Sequence, residues 1–158
     1  MSKKIVYTAL FTALTAALTL FPRIPSGLGY INLGDAVIIV SCVVIGRYAI
    51  VSAAVGAALA DLIGYPVYAP ATLVIKGAMA LALCAISGKR NAVWLFVAGA
   101  FAAELIMSAG YFLFEGLFYG GFGVAVVGIP ANLVQAAAAL LVGVPVAMYF
   151  RKRGTVVF

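Results

Sequence analysis

The 158-residue sequence contains no histidine and two cysteines, and charged residues make up only 9% of it. Cys42 and Cys84 each lie alone inside an apolar run, so no spacing typical of a zinc or haem site is present. The sequence also has no glycine-rich phosphate loop followed by Lys and Ser or Thr, and no nucleophile beside a base. We therefore expect no metal, no cofactor, no catalytic residue and no ATPase activity in this chain.

The chain is instead rich in apolar residues. They make up 66% of the sequence, and the mean hydropathy is +1.23. Soluble chains are roughly 45–50% apolar and about 25% charged. The apolar runs have the length of membrane-spanning helices rather than of the short alternating strands of a barrel. We expect an all-α integral membrane protein, with residues 1–158 forming one membrane domain because no polar linker divides it.

Six apolar runs predict six transmembrane helices, and three longer loops rich in Gly, Pro and Tyr separate some of them. Pro130 and Pro145 fall inside the last run, so we expect a kink or a broken start there. The predicted helices cover about 5–21, 33–45, 48–63, 72–87, 92–114 and 124–150, and the longer loops cover 21–32, 64–71 and 115–123.

The basic residues predict the orientation. A net charge of +6 would indicate nucleic acid in a soluble protein, but here the cations lie at the ends of apolar runs. With six spans, eight of them fall on one face and only Arg23 lies in the opposite loops. The positive-inside rule then places both termini in the cytoplasm and the three longer loops outside, where they could cover an outward-facing site. The eight are Lys3, Lys4, Arg47, Lys89, Arg90, Arg151, Lys152 and Arg153.

Asp35, Asp61 and Lys76 are ionisable groups in apolar surroundings, where a charge needs a partner or a function. Asp61 and Lys76 lie near the outer ends of two predicted antiparallel neighbours. They could form a structural ion pair with each other, or they could face a ligand. Asp35 could be held by the N-terminus of its helix, or it could belong to the same site.

Glu104 lies in the middle of a predicted span and shares a helical face with Ser108 and Tyr111. Asn132 and Gln135 share a face of the last helix, where interhelical hydrogen bonding and ligand binding are both open. Acids, amides, phenols and one amine suit a compact polar aromatic ligand. The predicted substrate-binding set is Asn32, Asp35, Asp61, Tyr65, Tyr68, Lys76, Glu104, Ser108, Tyr111, Asn132 and Gln135.

The stretches Tyr-Ile-Asn-Leu-Gly-Asp at 30–35, Ala-Asp-Leu at 60–62, Tyr-Pro-Val-Tyr-Ala-Pro-Ala-Thr at 65–72 and Ile-Lys-Gly at 75–77 carry a family likeness. With the length and the basic ends, the chain resembles the substrate-binding S component of energy-coupling factor (ECF) vitamin transporters. The resemblance implies capture of a water-soluble vitamin or precursor from outside a prokaryotic plasma membrane, under a lid formed by the loop after the first helix. It also implies two kinds of partner, a membrane scaffold subunit and two cytoplasmic ATPases.

Ala9, Ala13 and Ala17 lie at intervals of four on the first helix. From spacing alone, packing inside this protein and docking on another helix are equally open. The resemblance implies that these alanines dock on the scaffold.

The motifs look like the riboflavin-type branch, which includes carriers of pyridoxine-like and hydroxymethylpyrimidine-like compounds. Glu104 and Asp61 would suit basic ring nitrogens or an amine, so we expect a small pyridine or pyrimidine vitamin first and riboflavin next.

Two other classes of function stay open from the sequence. One is a stand-alone small-solute channel or exporter built around Glu104. The other is a membrane enzyme or assembly factor that uses Asp35 and Asp61 on lipid-like substrates.

Overall fold

A computed structural model describes residues 3–26, 30–87 and 92–154. Almost all of this part is helical, and a two-residue strand pair follows the first helix. In that pair β1 (Ile24–Pro25) runs antiparallel to β2 (Tyr30–Ile31), with Ile24 opposite Ile31. The helices are α1 (Lys3–Leu20), α2 (Gly34–Val44), α3 (Ala49–Gly64), α4 (Ala69–Ser87), α5 (Val93–Phe118), α6 (Phe122–Ala125) and α7 (Ile129–Lys152).

Within the described residues, five helical stretches are long and apolar enough to cross a membrane. The α2 helix has 11 residues, which at about 1.5 Å per residue is shorter than the ~30 Å hydrocarbon layer. The class of the fold, an all-α protein with apolar helices of membrane-spanning length, is as predicted. The count of six spans and the cytoplasmic location of both termini stay predictions. The five stretches are Lys3–Leu20, Gly46–Gly64, Pro66–Ser87, Val93–Phe118 and Phe122–Lys152.

The predicted loop at 115–123 is wrong in its first residues, because α5 continues to Phe118. Glu115 is helical and buried, and the helix ends only before Gly120 and Gly121, whose φ angles are 97° and 96°. Glycine adopts this region at no steric cost and commonly terminates helices. The expected broken start of the last helix is present, since the short α6 precedes α7 and Pro130 lies in the first turn of α7.

The helix α2 lies in the middle of the bundle and packs mainly on α7 and α1. Nine of its 11 residues are buried, which explains how so short a helix holds its place. Apart from Arg23 and Lys76, the described basic residues lie at one end of the bundle. Lys4 and Arg47 both lie 5.6 Å from the ring of Tyr48, and Arg151 lies 5.8 Å from the ring of Phe96. The buried polar contacts described below gather toward the other end.

The contact between α1 and α3 depends on Gly56. A Cβ at this position would lie 2.6 Å from the backbone oxygen of Thr12, which cannot move unless α1 moves. We expect Gly56→Ala to lower the free energy of unfolding by about 1–3 kcal/mol. The measurement is thermal unfolding of the purified protein in detergent.

The matched control for this prediction is Gly77→Ala in α4. A Cβ at Gly77 would lie 3.4 Å from the Cβ of Ala54, which is an ordinary contact, so this variant should be as stable as the parent or slightly more stable. Equal melting temperatures for the two variants would contradict the assignment of Gly56 as a close-packing residue.

Candidate functional site

A cavity lies among the ends of the helices opposite the basic residues. Its lining combines carboxylates, amides, phenols, hydroxyls and one amine, in a chain that is otherwise mostly apolar. Polar groups gathered in one concave place are typical of a ligand site. The lining residues are Thr19, Ser26, Tyr30, Asn32, Asp61, Tyr65, Tyr68, Thr72, Lys76, Tyr111, Glu115, Gly128, Asn132 and Gln135.

Lys76 forms a buried ion pair with Asp35. Its Nζ lies 2.6 Å from Oδ1 of Asp35, and the two side chains are 2% and 0% exposed. The predicted alternative of a Lys76–Asp61 pair is therefore wrong within the described residues. The reason is the position of each residue along α4. Thr72 lies one turn nearer the N-terminal end of α4 than Lys76, and its hydroxyl donates to Asp61. Lys76 instead reaches across to α2, where its charge balances the buried Asp35 carboxylate.

Gln135 connects this ion pair to the segment that leads into α2. Its Oε1 accepts from the backbone N–H and the side-chain amide of Asn32, each at 3.1 Å. Its Nε2 donates to Oδ2 of Asp35 at 2.7 Å. Asn32 in turn accepts from the backbone N–H of Gly34 through Oδ1. Both ends of the Gln135 amide are thus used inside the protein, and the chain of contacts joins α7, α2 and α4.

Asp61 accepts hydrogen bonds on both of its carboxylate oxygens. Tyr30 donates to Oδ1 and Thr72 donates to Oδ2, while the hydroxyls of Thr72 and Tyr111 lie 2.9 Å apart. Burial and the adjacent Asp61 carboxylate raise the pKa of the Tyr30 phenol well above its usual value, so the hydroxyl keeps its proton and donates it. The guanidinium of Arg23 lies 4.3 Å from the centre of the Tyr30 ring. Asp61 therefore helps hold the segment after α1 against α3.

Aromatic rings form one wall of the cavity around Tyr68. The Tyr68 ring lies 5.3–6.3 Å from its aromatic neighbours. Tyr30 and Tyr65 stack on each other with their centres 5.2 Å apart. Such rings offer flat apolar faces together with hydroxyl groups, which suits a planar heteroaromatic ligand. The neighbours of Tyr68 are Tyr65, Tyr111, Phe114 and Tyr119.

Glu115 lies in the last turn of α5 and is 4% exposed. Its Oε1 accepts from the Tyr68 hydroxyl at 3.3 Å. Its Oε2 has no hydrogen-bond partner in the described ranges 3–26, 30–87 and 92–154. This oxygen faces Gly128, where a Cβ would lie only 2.6 Å away.

Eight of the predicted substrate-binding residues line the cavity, and three do not. Asp35 lies behind Lys76 in the ion pair. Glu104 is 2% exposed, and neither of its carboxylate oxygens has a hydrogen-bond partner among the described residues. Ser108 lies one turn beyond Glu104 on α5 and is half-buried. Direct ligand contact by Asp35, Glu104 and Ser108 stays a prediction. The eight are Asn32, Asp61, Tyr65, Tyr68, Lys76, Tyr111, Asn132 and Gln135.

Six residues of the cavity lining are absent from the predicted substrate-binding set. Tyr30 and Thr72 stand inside the stretches that carry the family likeness, so a signal for them was present. Glu115 was placed in a loop, which hid its position on the inner face of α5. Thr19 and Ser26 are common polar residues, and Gly128 contributes only its lack of a side chain, so none of these three has a distinctive local pattern. The six are Thr19, Ser26, Tyr30, Thr72, Glu115 and Gly128.

The three alanines of α1 lie on its exposed side. The buried side of this helix consists of Phe11, Thr15 and Thr19, whereas Ala9, Ala13 and Ala17 are all exposed. Packing of these alanines inside this protein is therefore excluded. Their role in docking stays a prediction.

A bundle of membrane-spanning helices with a buried polar cavity at one end defines an integral membrane protein built to bind a small solute. The comparisons with known proteins give the family. Residues 1–152 match the model of the ECF-type riboflavin transporter, S component. The chain therefore belongs to this family, which comprises substrate-binding components of transporters rather than enzymes.

The fold agrees with this assignment. A solved structure described as the S component of a bacterial ECF transporter is similar with a TM-score of 0.72 over 96% of each chain, at 17% sequence identity. At this identity the likeness concerns the fold. An uncharacterised protein from Pyrococcus woesei, described as lying in the gap 3' region, is 33% identical over 134 residues, which is 82% of this chain and 88% of the relative.

Proposed function

We propose that the chain is the high-affinity capture subunit of an ECF-type vitamin importer, and that it binds its ligand in the cavity at the end of the bundle opposite the basic residues. The observation that carries this proposal is the buried polar lining in an apolar bundle. Lys76, Asp61 and Glu115 are each at least 96% buried, and all three line the same cavity. Ionisable groups inside a membrane bundle are expensive and typically mark a substrate site.

The proposed ligand is a small water-soluble vitamin or precursor with a heteroaromatic ring. The tyrosine wall supports a flat ring, and the carboxylates and amides support a ring that carries polar substituents. A pyridine or pyrimidine compound is the first candidate, because carboxylates such as Asp61 would suit basic ring nitrogens or an amine. Riboflavin is the second, because the description of the family names it.

The proposed partners are an ECF membrane scaffold subunit and two cytoplasmic ATPases, in the plasma membrane of a prokaryote. The exposed face of Ala9, Ala13 and Ala17 supports docking on a helix of the scaffold, since small side chains let two helices approach closely in lipid. Arg23, Tyr30 and the β1–β2 pair support a lid over the outer end. The lid, the partners and the orientation all follow from the same proposal.

A thermal-shift screen of the purified protein against water-soluble vitamins tests the proposed function. We expect one compound, or one close chemical group, to raise the melting temperature by several degrees at concentrations well above its Kd, because binding to the native state alone stabilises it. Mass spectrometry of small molecules that co-purify with the protein is the independent check. Absence of any stabilising vitamin, together with solute flux through the isolated protein in liposomes, would favour a channel or exporter instead.

A further inference from the structure

Two carboxylate side chains line the cavity in the described part of the chain, and they differ in how many of their oxygens already accept a hydrogen bond. Both oxygens of Asp61 already accept hydrogen bonds, from Tyr30 and Thr72. Glu115 uses only Oε1, which accepts from Tyr68, and its Oε2 has no partner among the described residues. Among the carboxylate oxygens of the described lining, Oε2 of Glu115 is therefore the one without a partner.

Gly128 packs closely against this oxygen. A Cβ at Gly128 would lie 2.6 Å from Oε2, so any larger residue would push the carboxylate out of its present position. Gly128 and Glu115 both line the cavity, and Asn132 follows one turn further along α7. A buried acceptor without a partner is costly unless something that enters the cavity satisfies it.

The charges of the cavity indicate which kind of donor this is. Lys76 is paired with Asp35, and Arg23 lies over the ring of Tyr30, whose hydroxyl contacts Asp61. Glu115 has no Lys or Arg within ion-pair distance in the described residues. A carboxylate without a nearby cation favours a donor that carries positive charge or a polarised N–H group, because charge-assisted hydrogen bonds are about twice as strong as neutral ones.

We infer that Glu115 is a specificity-determining residue of the binding site, and that its Oε2 accepts a hydrogen bond from a donor nitrogen of the ligand, either an amino group or a ring N–H. Tyr68 holds the carboxylate through Oε1, and the lack of a side chain at Gly128 leaves room for the carboxylate itself. The inference rests on the proposed function and adds the part of the ligand that is recognised. Glu104 and Asp61 are not needed for this role.

Matched ligand pairs test the inference on the full-length wild-type protein in detergent, by calorimetric titration. Pyridoxamine carries an aminomethyl group where pyridoxine carries a hydroxymethyl group, and riboflavin carries a ring N–H that N3-methylriboflavin lacks. For whichever ring binds, we expect the member with the donor nitrogen to bind at least about tenfold more tightly. Equal affinities within a pair, or tighter binding of the member without the donor nitrogen, would overturn the inference.

Two variants test the carboxylate itself and the glycine that packs against it. Glu115→Leu should weaken binding of the donor-bearing ligand at least about tenfold and remove most of the preference within the pair. Gly128→Ala keeps the carboxylate but displaces it from its present position, so it should also lose the preference. If Glu115→Leu fails to fold, Gly128→Ala and the wild-type ligand pairs still decide the matter.

The outcomes distinguish this inference from the proposed function. Binding of any vitamin with an affinity that neither variant changes would overturn the role of Glu115 and leave vitamin capture intact. Absence of binding by every vitamin in the screen would overturn the proposed function and this inference with it.

Discussion

Replacing Ala13 by Trp should abolish vitamin uptake and leave vitamin binding unchanged. Ala13 lies at the centre of the exposed alanine face of α1, away from the buried side that faces the protein's own core. An indole at this position would hold an approaching helix several ångströms away and remove the close contact that small residues permit. Uptake by cells that also produce the cognate scaffold and ATPases should fall below about a tenth of wild type, which needs a loss of only ~1.4 kcal/mol in docking.

The matched control for this prediction is Leu14→Trp. Leu14 is the neighbouring exposed residue of α1, and it already carries a large side chain about 100° round the helix from Ala13. This variant should transport normally. Loss of binding by purified Ala13→Trp would show that the alanine face supports the fold, and normal uptake by this variant would remove the face from the docking surface.

Replacing Lys76 by Met should produce the largest loss of stability of any single change to the binding site. The substitution leaves Asp35 buried at 0% exposure without its cation, and breaking one side of a buried ion pair costs about 3–5 kcal/mol. We expect the apparent melting temperature in detergent to fall by more than about 5 °C. Vitamin binding should also be lost, because the Lys76 side chain lines the cavity.

The double variant Asp35→Asn with Lys76→Met separates the two effects. It removes both charges and keeps a carbonyl oxygen that can still accept from Nε2 of Gln135. We expect it to recover more than half of the lost melting temperature without recovering vitamin binding. A double variant as unstable as Lys76→Met alone would mean that the ion pair is not what Lys76 contributes to stability.

Composition and periodicity were sufficient to predict the class of the fold and most of the helix positions. Apolar content and run length decide between a soluble and a membrane protein, and these are properties of the chain itself. The end of α5 was predicted too early because Glu115 and Gly116 look like the start of a loop. Tertiary contact overrides this local signal, since Glu115 turns inward to Tyr68 and the helix continues to the glycine pair at 120 and 121.

The sequence predicted which residues belong to the candidate site more successfully than which of them contact each other. A charged or amide side chain in an apolar run stands out in any sequence, which is why Asp61, Lys76 and Gln135 were found. Their partners depend on how far each helix is shifted along its neighbour, and no local pattern records that shift. The choice of Asp35 over Asp61 as the partner of Lys76 is decided by one helical turn, and the hydroxyl of Thr72 occupies the place that Lys76 would need.

The two acids of α5 have a consequence for how this helix can move. Glu104 and Glu115 are eleven residues apart, which is close to three full turns, so both carboxylates lie along one line of the helix at two depths about 16 Å apart. Rolling α5 about its own axis would carry both acids into the hydrocarbon at once. Rotation of α5 about its own axis is therefore costly, so this helix is expected to move by sliding or tilting as a rigid body.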